Sequence, residues 1–252
     1  MNDSTSTITP VWPTRWPDNS FKNFWTWFIA ISIALFLAAI FVSSLLLQSL
    51  LAQTLHALSP QELLKEVGYQ AIGELALVAV ILALMPYLSK FSLRELGFRV
   101  PSWQTIGIAV LGAIAMVVIA NGGASLIDYF AHSKHQQDVV EIFKNLHDPK
   151  TIALFAIFAI VFAPFAEESL FRIFFFNLGL RFGGFGVGAT ISGVLFGLAH
   201  GDLYAAIPLA LGGAILCYVY YRTRNAFASM ISHGLFNSFS ILMLLAVPGA
   251  TN

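Results

Sequence analysis

The sequence predicts an all-α, polytopic bundle of about seven transmembrane helices, with six to eight as the range. Three observations carry that expectation. The 252-residue chain is 58% hydrophobic and only 10% charged, whereas soluble domains carry about 25% charged residues. Its mean hydropathy of +0.78 and its 23 phenylalanines are more apolar surface than one soluble domain of this size can hide. Apolar runs also recur at the length of about 20 residues that crossing a bilayer requires.

Taken in order, residues 1–22 read as a flexible cytoplasmic tail, polar and broken by Pro10, Pro13 and Pro17. No cleavable signal peptide is expected, because the apolar run behind the tail is too long for one. Residues 23–135 hold the N-terminal transmembrane helices. Their apolar runs lie at 24–52, led by Trp25 and Trp27, at 69–88, ending at Pro86 and Tyr87, and at 103–129. Residues 136–148 interleave Val139, Val140, Ile142, Phe143 and Leu146 with Asp138, Glu141 and Lys144. That pattern suits a short amphipathic helix at the membrane interface. Residues 150–248 form a second helical unit with spans at 151–180, 186–200, 204–221 and 226–247. No internal repeat is evident.

Charge and cysteine content remove whole classes of function. Thirteen Lys and Arg balance thirteen Asp and Glu, so no basic excess exists to neutralise phosphates, and no nucleic-acid partner is expected. The single cysteine, Cys217, excludes a disulfide framework and a cysteine-based zinc cluster. Lys and Arg in alternate loops set the orientation. Arg15, Lys22, Lys90, Arg94, Arg99, Arg181, Arg222 and Arg224 fall on the N-terminal side, against Lys65, Lys134, Lys144 and Lys150 on the other. The bias places the N-terminus in the cytoplasm.

A charge at the centre of a bilayer costs at least about 2.5–3.5 kcal/mol, so charges inside spans are functional candidates. Here they cluster. The fourth span carries Glu167, Glu168 and Arg172, the fifth ends at His200, and the seventh carries His233 and Asn237. Glu74 lies a few residues inside the second span. Glu168 and Arg172 are four residues apart and can pair on one helical face. Glu167, rotated about 100° from Glu168, has no such partner on its own helix. His233 and Asn237 are likewise four apart and present donors from one face. His200 follows Phe196 at the same spacing, on a helix where Gly193 and Gly197 admit a close neighbour. Helical rise puts Glu167, His233 and His200 at depths of roughly 16, 10 and 21 Å from the cytoplasmic ends of their spans.

Each piece taken alone has a plainer reading. A Glu–Arg pair can be an internal strut, a lone histidine a hydrogen-bonded core residue, and an asparagine a bridge between helices. Two adjacent glutamates, two histidines and an asparagine in one cavity go further, since carboxylate plus imidazole is what activating a water demands.

The stretch 167–172 fits EExxxR, 196–200 fits FxxxH and 233–237 fits HxxxN. In order and helix placement these motifs resemble the CPBP family of intramembrane proteases. That group contains the CAAX prenyl endopeptidases and bacteriocin-processing and immunity proteins. The resemblance covers about residues 150–245, and the Leu-Gly-Phe-Arg stretch ending at Arg99 shares it. It implies an endopeptidase in which Glu167 and His200 activate water and His233 and Asn237 stabilise the oxyanion, with Glu168, Arg172 and Phe196 supporting the site. It implies a peptide or lipidated protein as substrate, a prenylated CAAX-type protein or a bacteriocin precursor, met in the lipid bilayer. Both a metal-dependent and a metal-free, glutamate-dependent route go with the family. If zinc is the cofactor, Glu167, His200 and His233 are its three candidate ligands. The expected location is a bacterial inner membrane, as a multi-pass protein. A non-catalytic immunity or scaffold protein is the rival reading, followed by a proton-coupled transporter, which the lack of a repeat disfavours.

Overall fold

The computed structural model describes residues 60–89, 91–132 and 148–246. The tail at 1–22, the first span at 24–52 and residues 136–147 of the amphipathic segment lie outside them. Every regular element among the described residues is helical. Helix α1 spans Pro60–Ser89 and α2 spans Trp103–Ala131. Then α3 (Pro149–Ile157), a π-helical turn at Phe158–Phe162, α4 (Ala163–Glu168) and a π-helical segment at Ser169–Phe176 follow without a break. Helix α5 covers Asn177–Leu198, α6 Leu203–Thr223 and α7 Ala226–Ala246.

Local chemistry fixes several of these boundaries. Ser102 caps α2 by accepting from the Thr105 amide at 3.2 Å. Asp148 caps α3 by accepting from the Thr151 amide at 2.9 Å, with Pro149 in the first turn, where its missing N–H costs nothing. Bonds from the Thr151 hydroxyl and amide hold the Asp148 carboxyl below its usual range. Asp202 caps α6 through the amides of Tyr204 and Ala205. The reversal between the fourth and fifth spans falls at Gly183 and Gly184, which leave helical geometry inside α5.

Four stretches are long and apolar enough to cross a membrane: Trp103–Phe130, Pro149–Arg181, Leu203–Thr223 and Ala226–Ala246. Ala71–Tyr87 and Gly183–Leu198 are shorter apolar helices. The spans read from sequence at 69–88, 103–129, 151–180 and 204–221 fall on helices, as does the seventh as far as Ala246, and the fifth stops at Leu198, ahead of His200. Outward-facing Ile72, Leu111, Val118, Ile207 and Leu242 are exposed, an outer surface that suits hydrocarbon. The interior is packed by Phe174, Phe176, Phe196, Leu216 and Tyr220, with Ile81 and Met116 reaching in from α1 and α2.

Helices α5 and α6 meet at glycines, as their placement in the sequence led us to expect. A Cβ on Gly193 would stand 2.6 Å from the Ala210 carbonyl oxygen, and one on Gly197 would overlap the carbonyl of Ala206. Gly197→Ala must push the two helices apart, and overpacking of this kind typically costs about 1–3 kcal/mol. A lower melting temperature in detergent is the expected result. An unchanged melt would mean that the helices are free to separate.

Candidate active site

The helix that carries the two glutamates is interrupted for reasons visible in its sequence. Pro164 has no amide hydrogen, so the Ile160 carbonyl loses its α-helical donor, and the chain widens into the π turn at Phe158–Phe162 just before it. Five residues later the Ser169 hydroxyl donates back to the Phe165 carbonyl at 2.7 Å, a competing bond that disturbs helical register. The π-helical segment starts at that serine. Glu167 and Glu168 therefore sit in a short α-helical stretch between two π-helical ones, an arrangement often found at functional sites.

Arg172 Nε lies 3.0 Å from Glu168 Oε2, and both side chains are buried. The pairing expected from the four-residue spacing is present. Arg172 also donates from Nη2 to the Gly213 carbonyl at 3.3 Å, and its guanidinium lies 4.6 Å from the centroid of the Phe196 ring. Phe196 is the hub of the cluster. Its ring centroid is 4.9 Å from that of His200 and 5.5 Å from that of His233.

Glu168 does more than hold an arginine. Its Oε1 is 3.1 Å from Nδ1 of His233, across a contact between α4 and α7. A carboxylate accepts from Nδ1–H, which fixes the tautomer and turns Nε2 outward. That Nε2 is 3.8 Å from Oε2 of Glu167. His233 is thus held between two carboxylates, one fully buried and one a quarter exposed. Glu167 has its imidazole partner on another helix, which sequence spacing could not reveal.

His200 sits apart from this pair. It lies beyond the end of α5 with an exposed ring, and its Nδ1 is 2.8 Å from the Phe196 carbonyl oxygen. The charges that act on Glu167 are those of His233, Glu74, Glu168 and Arg172. Glu74 stands on α1, near enough for its charge to act on Glu167. Asn237 donates from Nδ2 to the Ala159 carbonyl at 2.7 Å, in the π turn. Beside it, a Cβ on Gly234 would stand 2.6 Å from the Ile160 carbonyl oxygen. The His233–Asn237 turn therefore lies directly on the π turn. One amide hydrogen of Asn237 serves Ala159, and an amide has a second.

Among the described residues no three His, Cys, Asp or Glu side chains are gathered as a metal site, so Glu167, His200 and His233 are not brought together as one.

Residues 149–239 match the family model described as "Type II CAAX prenyl endopeptidase Rce1-like", and the EExxxR, FxxxH and HxxxN stretches fall inside the match. The chain is 26% identical over 185 residues to the membrane peptidase YdiL of Bacillus subtilis, covering 70% of this chain and 71% of that one. It is 29% identical over 163 residues to the membrane-embedded CAAX protease MroQ of Staphylococcus aureus, covering 62% and 65%. No solved structure matches the chain. The family resemblance of the motifs is borne out by the match of residues 149–239 to the Rce1-like domain model, which supports a membrane-embedded protease.

Proposed function

We propose that this chain, as the bearer of an Rce1-like domain, is an intramembrane endopeptidase that hydrolyses a peptide bond with Glu167 as general base. The observation that carries the reading is His233 held between Glu167 and Glu168. Glu167 takes a proton from water as the oxygen attacks the scissile carbonyl. His233 Nε2, next to Glu167, accepts that proton and becomes imidazolium, stabilised by the Glu168 carboxylate at Nδ1. The Nε2–H and the second amide hydrogen of Asn237 then donate to the oxyanion. The imidazolium then returns that proton, by way of Glu167, to the leaving amine. His200, past the Phe196 ring, assists in activating water. Arg172 balances the charge of the Glu168 carboxylate and holds it in place. Substrates are prenylated CAAX-type proteins or apolar peptide precursors, which can enter from lipid between helices.

Peptide-release mass spectrometry on membranes containing the wild-type chain or Glu167→Ala tests this. Fragments present only with the wild type are the expected result, and identical fragment sets would overturn the reading.

We also assign the end of the bundle that holds residues 91–102, 183–184 and 224–225 to the cytoplasm, in a bacterial inner membrane. Support comes from its charge. Among the described residues, Arg94, Arg99, Arg181, Arg222 and Arg224 lie at this end, against Lys65 and Lys150 at the other, in keeping with the positive-inside rule. Val100 and Leu203 are both exposed, at opposite ends. In a Cys217→Ser background, an impermeant thiol reagent outside the membrane should label Leu203→Cys and spare Val100→Cys. The reverse pattern would invert the topology.

A further inference from the structure

At the arginine-rich end, the turn between α6 and α7 is locked to the loop before α2. Asn225 Nδ2 donates to the Arg99 carbonyl at 2.8 Å, and Arg99 Nη2 donates to the Thr223 carbonyl at 3.3 Å. The Ala226 amide donates to the Gly97 carbonyl at 2.9 Å. Arg224 sits in the left-handed region with φ 54°, and its amide donates to the Tyr220 carbonyl at 2.7 Å. These bonds hold Arg99 and Arg224 at one corner of the bundle, near enough for the charge of Arg99 to act on Arg224.

The C-terminus of α6 explains part of this arrangement. A helix end presents about half a negative charge, and one arginine there needs no further account. Two full positive charges exceed it. The groups that act on Arg224 are Arg99 and Tyr221, neither of them a carboxylate. Partial burial and the charge of Arg99 hold the Arg224 guanidinium below its usual range. Glu95, the acidic residue in the same loop, gives its carboxylate to the Ser92 amide and hydroxyl at 2.8 and 2.7 Å. Among the described residues, the pair therefore has no carboxylate as counter-ion.

The depth of the pair says which anion. Arg99 and Arg224 lie at the ends of helices that cross the membrane, α2, α6 and α7. Trp103, four residues beyond Arg99, is 87% exposed, and Tyr87 at the end of α1 is 62% exposed. Exposed aromatic rings of this kind mark the headgroup level of a bilayer. Guanidinium forks match phosphate oxygens in geometry as well as in charge.

We propose that Arg99 and Arg224 form a binding site for the phosphate of an anionic lipid headgroup. The proposal rests on the membrane-spanning fold and is independent of the peptidase reading. Tyr220 extends its reach: its hydroxyl donates to the Leu96 carbonyl at 2.8 Å and accepts from Asn177 Nδ2 at 3.1 Å. A lipid that steadies this turn therefore steadies both the loop before α2 and the end of the glutamate-bearing helix.

The test is the melting temperature of the full chain in neutral detergent, with added phosphatidylglycerol, phosphatidylcholine or inorganic phosphate. Phosphatidylglycerol should raise the melting temperature of the wild type, and the other two should leave it unmoved. The shift should vanish in Arg99→Gln/Arg224→Gln. An equal shift in that double variant, or an equal shift with inorganic phosphate, would overturn the lipid site. Should the double variant fail to fold, native mass spectrometry of the wild type decides. Retention of phosphatidylglycerol over phosphatidylcholine is then expected, and equal retention overturns the proposal.

Discussion

Glu167→Gln should lower turnover by about 10²- to 10⁴-fold, the usual contribution of a positioned general base, while the yield of folded protein stays at the wild-type level. Glutamine keeps the size of the side chain and removes its ability to take a proton. The fold should tolerate the change because Glu167 is the more exposed of the two glutamates and its approach to His233 is a long 3.8 Å. Cleavage of a substrate identified by peptide release, measured beside a detergent melt, checks both halves. Near-normal turnover in a well-folded variant would remove Glu167 from the role of base and shift attention to Glu74 and His200.

Arg172→Ala should be the most destabilising single change at the site. It leaves the Glu168 carboxylate buried without its cation, and breaking a buried pair in this way typically costs about 3–5 kcal/mol. It also removes the donor to Gly213 and the cation stacked on Phe196. The melting temperature should fall sharply, and activity with it. Adding Glu168→Gln to Arg172→Ala removes the stranded charge and should recover part of the lost stability. It should not recover turnover, because His233 would then lack the anionic partner at Nδ1. Full recovery of turnover in the double variant would show that Glu168 serves the fold alone.

Much of this was legible in the sequence. Charge is so scarce in the spans that Glu167, Glu168, Arg172, His200, His233 and Asn237 stand out without any structure, and four-residue spacing correctly pairs Glu168 with Arg172. Contacts between helices were not legible. Spacing along one helix says nothing about the bond from Glu168 to His233, so Glu168 reads from sequence as a strut. Glu74, noted as a charge inside a span, could not be joined to Glu167 for the same reason. The two π-helical stretches were also hidden, because 3.6-residue periodicity cannot be followed through a run as uniformly apolar as residues 152–163. Pro164 and Ser169 are the local clues, since each disturbs an α-helical bond. The docking of residues 96–99 on α7 depends on backbone carbonyls, which leave no trace in composition.

A π turn contains one residue more than the α turn it replaces. The glutamate-bearing helix is therefore longer in sequence than its rise requires, and the wide turn at Phe158–Phe162 absorbs the surplus. Deleting one residue within 158–162 would let the helix close to α geometry while Glu167 and Glu168 keep their direction toward His233. The loss would fall instead on the carbonyls of the wide turn, where Asn237 is anchored and Gly234 packs. A deletion in regular α-helix, which has no surplus to give up, turns everything beyond it by about 100°. The spare residue in this stretch thus serves the seat of Asn237 and not the aim of the glutamates.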